Sequence, residues 1–134
     1  MKYEKSCGAV VIKDKSVLLV KHNLGHWGFP KGHIENNELE KETAVREVKE
    51  ETNVDIKIDL DKKYTIKYSP KHDVEKEVVF FIASPISSKL IPQESEIDTV
   101  KYIDFDTAKR TITYDEERNV LTSVLRDLSD NNLT

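Results

Sequence analysis

Three glutamates, Glu47, Glu50 and Glu51, recur at helical spacing within GHIENNELEKETAVREVKEETNV, residues 32–54. At about 100° per residue, a helix over residues 39–52 gathers Ala44, Val45, Val48 and Thr52 on one side and the three carboxylates on a neighbouring side. Side chains at i, i+3 and i+4 are neighbours on a helix surface, so these carboxylates repel one another unless water or a cation screens them. A hard divalent cation suits them. Mg²⁺ takes oxygen ligands, keeps several waters and is held by one or two carboxylates together with substrate phosphates. The competing reading is a solvated face, because Arg46 stands four residues before Glu50, the spacing of an ordinary surface pair.

The wider order of residues separates the two. Gly32 is followed after five residues by Glu38, then after seven by Arg46-Glu47-Val48-Lys49-Glu50-Glu51, and after one more by Asn53-Val54. This resembles the signature box of the Nudix hydrolases, whose last Gly is replaced here by Asn53. That position lies just past a helix end in the left-handed conformation, where Asn is the next most tolerant residue. The resemblance implies a fold of class α/β, an α/β/α sandwich around a mixed sheet. It implies Mg²⁺, with Mn²⁺ as a substitute, held by Glu47, Glu50, Glu51 and the Gly32 carbonyl. Glu38 would organise the loop around that site, and Arg46 would orient a carboxylate such as Glu47 through charge-assisted hydrogen bonds.

A second set of residues points to a subgroup. Trp27-Gly28-Phe29-Pro30-Lys31-Gly32-His33 looks like the entry to the box in Nudix enzymes that cleave dinucleoside polyphosphates. There Lys31 would approach a phosphate, with His33 in a supporting place. Tyr68 and Lys76 flank a polar stretch, as do a base-stacking ring and a phosphate contact in that subgroup, with Lys71 competing for the second role. Tyr114, in Thr113-Tyr114-Asp115, would stack on the other face of a base. Glu96, counted back from Tyr102, matches a loop glutamate that binds metal or takes the proton from the attacking water; Glu94 is its reserve. The implied reaction is Mg²⁺-dependent, asymmetrical hydrolysis of diadenosine tetraphosphate to ATP and AMP. A pyrophosphohydrolase of nucleoside triphosphates or of RNA 5′-triphosphate is the alternative on the same metal site, and a nucleotide-sensing module without catalysis is a third reading.

The elements that must position these residues follow from periodicity. Residues 6–12 and 16–20 are apolar, β-branched runs around Lys13-Asp14-Lys15 and predict a hairpin. Residues 21–31, with Gly25, Gly28 and Pro30, predict a loop; three histidines nearby, His22, His26 and His33, match no standard zinc spacing. Residues 54–58, 64–68 and 100–105 alternate as half-buried strands, and residues 77–83 read as a central strand covered on both faces. The last helix spans residues 113–128, opened by a Thr113/Glu116 capping box and carrying a stripe of Val120, Leu121, Val124, Leu125 and Leu128, before a polar tail from Asp130.

Composition bounds the rest. A chain of 134 residues with 37% hydrophobic content is expected to form one domain, residues 1–134. A net charge of −4 argues against bulk nucleic-acid binding by counterion release and leaves room for a nucleotide whose charge a local cation offsets. Cys7 is the only cysteine, reads as a small buried residue and fits a reducing cytoplasm. No apolar run approaches the roughly 18 residues of a membrane span, so a cytoplasmic protein without membrane attachment is expected.

Overall fold

The computed structural model describes residues 1–130. In chain order these form β1 (Lys2–Lys13), β2 (Ser16–His22), β3 (Trp27–Gly28), β4 (Lys31–His33), α1 (Glu40–Thr52), β5 (Ile56–Lys71), β6 (Val74–Pro85), β7 (Ile97–Asp104), α2 (Phe105–Thr111) and α3 (Asp115–Asp130). β1 is the hub. It runs parallel to β6 from Lys2↔Val74 to Val11↔Ala83 and antiparallel to β4 through Ser6↔His33, Cys7↔Gly32 and Gly8↔Lys31. The sheet order is β3-β2-β1-β6-β5, with β4 on β1 and β7 on β2.

Alternation along the strands feeds two core layers. Val10, Val17, Leu19, Val78, Phe80 and Ile82 pack with Leu121, Val124 and Leu128 of α3. On the opposite face Ala9, Val11, Leu18 and Val20 pack with Val48 of α1, and Cys7, Val79 and Phe81 meet Ala44. Helices on both faces of a mixed sheet give the expected α/β/α sandwich. Burial pushes the Cys7 thiol up to about 11, consistent with a core residue rather than a nucleophile. Among the described residues, no helix is long and apolar enough to cross a membrane.

Several expectations are corrected. The first hairpin keeps only its turn, with Asp14 at φ 57°; β1 and β2 pair at Ile12↔Val17 and Lys13↔Ser16, after which β2 turns to β7. The segment expected as a loop before the box contains β3 and the start of β4. The runs at 54–58 and 64–68 belong to one strand, β5, which absorbs residues 59–62 as an irregularity against β6. Val45 is exposed, whereas Glu51 is buried beside Thr43, Ala44, Val48 and Thr52. Phe105 opens α2, which the sequence reading missed; Asp104 caps it by accepting the Thr107 N–H at 3.1 Å. The expected Thr113/Glu116 cap is absent from the described bonds: the Thr113 hydroxyl accepts the Trp27 N–H at 2.8 Å, and α3 starts at Asp115 and runs on through Asp130. The remaining tail, residues 131–134, lies outside the described residues.

Asn53 adopts φ 68°, ψ 8° at the end of α1, and its N–H donates to the Lys49 carbonyl. Its side-chain amide also donates to the Lys89 carbonyl at 3.1 Å. Asn53→Ala should therefore lower stability by about 1 kcal/mol in urea denaturation, and Asn53→Gly should stay within about 0.5 kcal/mol of the parent, since Gly tolerates the conformation but loses the Lys89 contact.

Candidate active site

α1 lies against β4, and Arg46 fills the space between them. Its guanidinium donates to Glu38 Oε2 at 2.6 Å and Oε1 at 3.0 Å, Glu47 Oε1 at 2.7 Å, Glu50 Oε1 at 3.1 Å and the His33 carbonyl at 2.9 Å. Glu35 adds a longer ion pair at 3.6 Å. Glu38 also accepts the Glu35 N–H and the Thr43 hydroxyl, and Arg46 beside it holds its carboxyl down at about 2. Glu38 thus clamps the loop before α1 to the helix. The His33 side chain points away, 3.8 Å from Glu4 and largely exposed; only its carbonyl joins the network.

Glu47 and Glu51 are crowded acids. A Cβ at Gly32 would overlap the Glu47 carboxylate, so the glycine gives that carboxylate its present place against β4. Burial raises the Glu47 carboxyl, with Glu50 adding repulsion against the pull of Arg46. Glu51 is 3% exposed and accepts the Lys31 N–H at 3.1 Å. Burial, with repulsion from Glu47 and Glu96 and against the pull of Lys31, pushes its carboxyl up to about 8. Glu96, on the exposed turn entering β7, is thereby within electrostatic reach of Glu51; no such coupling ties Glu94 to the cluster among the described residues. Glu50 is the exposed member.

Oxygen donors of this kind, with a carbonyl beside them, fit a hard divalent cation. Glu47 and Glu50 are drawn toward Arg46 while Glu51 turns to the Lys31 N–H, and among the described residues no three acidic, histidine or cysteine groups stand ready to hold a metal ion. Any bound cation would have to compete with the guanidinium.

On the other side of Lys31 lies a cleft of about 340 Å³, lined by His22, His26, Phe29, Tyr68, Tyr114 and Glu117 among others. Register builds it. Tyr68 pairs with Lys76 across β5 and β6 on the face that also carries Ile66, Val78 and Phe80; Tyr68 lines the cleft and Lys76 does not. The turn between these strands is only His72-Asp73, shorter than the expected connection, which leaves Lys71 at the exposed tip opposite Val74. Burial pushes the half-buried Lys76 ammonium down, with Lys31 adding repulsion. Tyr114, at the entry to α3, meets the His26 ring at 5.7 Å, and His26 stacks on His22 at 4.1 Å. Burial pushes His22 down to about 4, so at neutral pH it is an uncharged wall of the cleft. His33 stands on β4, outside this pair.

The sequence reading missed His22 and His26 as cleft walls and missed Glu117 altogether. A signal existed for the last. Glu117 falls three, four and seven residues before Val120, Leu121 and Val124, on the core stripe of α3.

These features are those of an α/β/α sandwich that sets an acidic cluster beside an aromatic cleft. The NUDIX domain family model matches residues 2–124, and the chain belongs to the Nudix family. Nudix hydrolase 2 of Arabidopsis thaliana is 33% identical over 108 residues, covering 74% of this chain and 38% of that protein. Nudix hydrolase 8 of the same plant is 36% identical over 106 residues, covering 72% and 28%. The chain therefore spans well under half the length of these relatives. An Ap4A hydrolase of C. elegans, solved as a binary complex, superposes with a TM-score of 0.83 at 26% identity, covering 95% of this chain and 98% of that one. Nudix hydrolases generally use divalent metal ions.

Glu51 gives a pH signature. Its folded pKa, about 8, lies above the value of a free carboxyl, so its contribution to stability is full below about 4.5 and is lost as pH rises through 8. In chelator, Glu51→Gln should match the parent near pH 4.5 and exceed it by roughly 2–4 kcal/mol at pH 9 in denaturant titrations. Equal stabilities at both pH values would contradict the burial cause.

Proposed function

We propose that this chain is a Mg²⁺-dependent hydrolase of phosphoanhydrides in nucleotides, cutting diadenosine tetraphosphate asymmetrically into ATP and AMP, with Mn²⁺ able to replace Mg²⁺. The observation that carries the reading is the double use of Lys31: its N–H holds Glu51 in the acidic cluster and its side chain lines the aromatic cleft. A base in the cleft would therefore hand its phosphates across Lys31 to the carboxylates. The likeness to a C. elegans Ap4A hydrolase, at 26% identity over 95% of the chain, supports the choice of substrate.

The roles follow from charge. Polyphosphates resist hydrolysis because their own negative charge repels the nucleophile. Glu47, Glu50, Glu51 and the Gly32 carbonyl would hold a divalent cation, which when bound would supply Lewis acidity and a lowered pKa for attacking water. Lys31 and Lys76 steady phosphates as compact cations. Tyr68 and Tyr114 stack on the base. Arg46 and Glu38 hold the carboxylates in register, and Glu96 or Glu47 takes the proton from water. No covalent intermediate on the protein is required.

The test is product analysis on diadenosine tetraphosphate, nucleoside triphosphates and triphosphorylated RNA, each with Mg²⁺ and with chelator. Equal ATP and AMP, lost in chelator, is the expected result. Pyrophosphate from triphosphates with the dinucleotide untouched would transfer the chain to the pyrophosphohydrolase reading. Glu50→Gln and Glu51→Gln should each lower kcat by about 100-fold or more. Tyr68→Ala and Tyr114→Ala should mainly raise KM, roughly 5- to 100-fold, as expected for lost base stacking.

A further inference from the structure

Glu117 is a carboxylate where α3 calls for an apolar side chain. It is 7% exposed, on the stripe that continues into Val120, Leu121 and Val124. Its Oε1 accepts the Phe29 N–H at 3.0 Å. Its Oε2 accepts no hydrogen bond among the described residues, and no cationic side chain forms an ion pair with it there. Burial pushes its carboxyl up, offset only in part by Lys31 and the Phe29 amide.

The surroundings are shaped to keep this carboxylate in place. A Cβ on Gly28 would lie 2.6 Å from Oε1 and 2.9 Å from Oε2, so residue 28 must lack a side chain for Glu117 to sit here. The carboxylate lines the same cleft as Tyr68, Tyr114 and Lys31. Satisfying one backbone N–H needs one neutral acceptor. A carboxyl whose second oxygen accepts no hydrogen bond from the described residues is more than that task requires, because a largely buried carboxylate is costly unless it is fully hydrogen-bonded. The spare oxygen is open to the cleft, where a donor from outside the chain can reach it.

We propose that Glu117 reads the edge of the bound nucleobase, its Oε2 accepting an N–H from an exocyclic amine while its Oε1 stays on Phe29. Glu117 is thus a specificity-determining residue, and this rests on the reading of the cleft as a nucleotide site. Aromatic walls hold any base, since each base has a π-face. A buried acceptor selects among them, because a base without the donor leaves that acceptor unpaired.

Phe29 also sets what a substitution would do. In Glu117→Gln the amide oxygen must accept the Phe29 N–H, since the amide nitrogen cannot. The NH₂ group then takes the place of Oε2, so an acceptor becomes a donor. Glu117→Met removes both acceptors and keeps the apolar packing of the stripe.

The experiment measures binding of AMP, of purine riboside 5′-monophosphate, which lacks the 6-amine, and of IMP, which carries a 6-oxo group. These monophosphates have no anhydride to cleave, so affinity is read by calorimetry without turnover. The parent protein should prefer AMP over the purine riboside nucleotide roughly 10-fold or more, as for a charged hydrogen bond. Glu117→Met should bring that ratio to about 1 by weakening AMP alone. Glu117→Gln should lower the AMP-to-IMP preference at least about 5-fold. Thermal melts of both variants check that the fold is kept, and either variant suffices for the comparison. An unchanged AMP preference in a folded variant overturns the proposal and leaves the cleft as a nucleotide site, provided Tyr68→Ala and Tyr114→Ala still weaken AMP. If AMP binding ignores those tyrosines, or is absent in the parent protein, the cleft is not the base site and both readings fall together.

Discussion

One hydrogen bond, from the Lys31 N–H to Glu51, ties β4 to α1 alongside the Arg46 contact with the His33 carbonyl. It joins the middle of the sheet, through β4 on β1, to the last turn of α1. Glu51 has surrendered nearly all its water and rests on this bond, so its charge is poorly compensated. The carboxyl keeps its proton until pH is high or a cation takes the proton's place. The same strand carries Gly32, whose missing side chain gives Glu47 its room, and Lys31, whose side chain turns to the cleft. Acid face and aromatic cleft are therefore two sides of one three-residue strand.

Electrostatics around α1 has an internal counterweight. Arg46 spreads one positive charge over Glu38, Glu47 and Glu50, which lets acids crowd along one helix without expelling each other. Glu38 is the strongest of these partners and stays ionised to about pH 2. Glu47 and Glu51 sit deeper and are raised by burial. The cluster is thus graded, from a structural ion pair at the loop to two strained acids beside β4. Cation binding would relieve the second pair without disturbing the first.

The parts legible in sequence were those written in local order. The box from Gly32 to Asn53 carried α1, its left-handed end and the company of Arg46 with Glu47, while the Arg46–Glu38 pair is visible only in the structure. The apolar run of β6 carried the central position, and alternation carried both core layers. What sequence did not show depends on partners far along the chain. Whether Tyr68 meets Lys76 is decided by hairpin register, and whether Thr113 caps α3 is decided by Trp27, 86 residues away. Glu51 was read with the acidic face because it is acidic, although its angle on the helix places it with Ala44 and Val48. Glu117 was passed over in the same way on α3. A carboxylate on a core stripe is a signal of its own, and this fold carries one at each end of the proposed nucleotide path.

In the proposed reaction, base and cation occupy opposite sides of Lys31. NMR of the labelled protein tests it directly, with AMP added in one titration and Mn²⁺ in another. AMP should shift the Phe29 amide and the Tyr68 and Tyr114 rings, while Mn²⁺ should broaden the amides of Gly32, Glu47, Glu50 and Glu51 first. Broadening centred on His22 and His26, or AMP shifts that avoid the cleft, would contradict it.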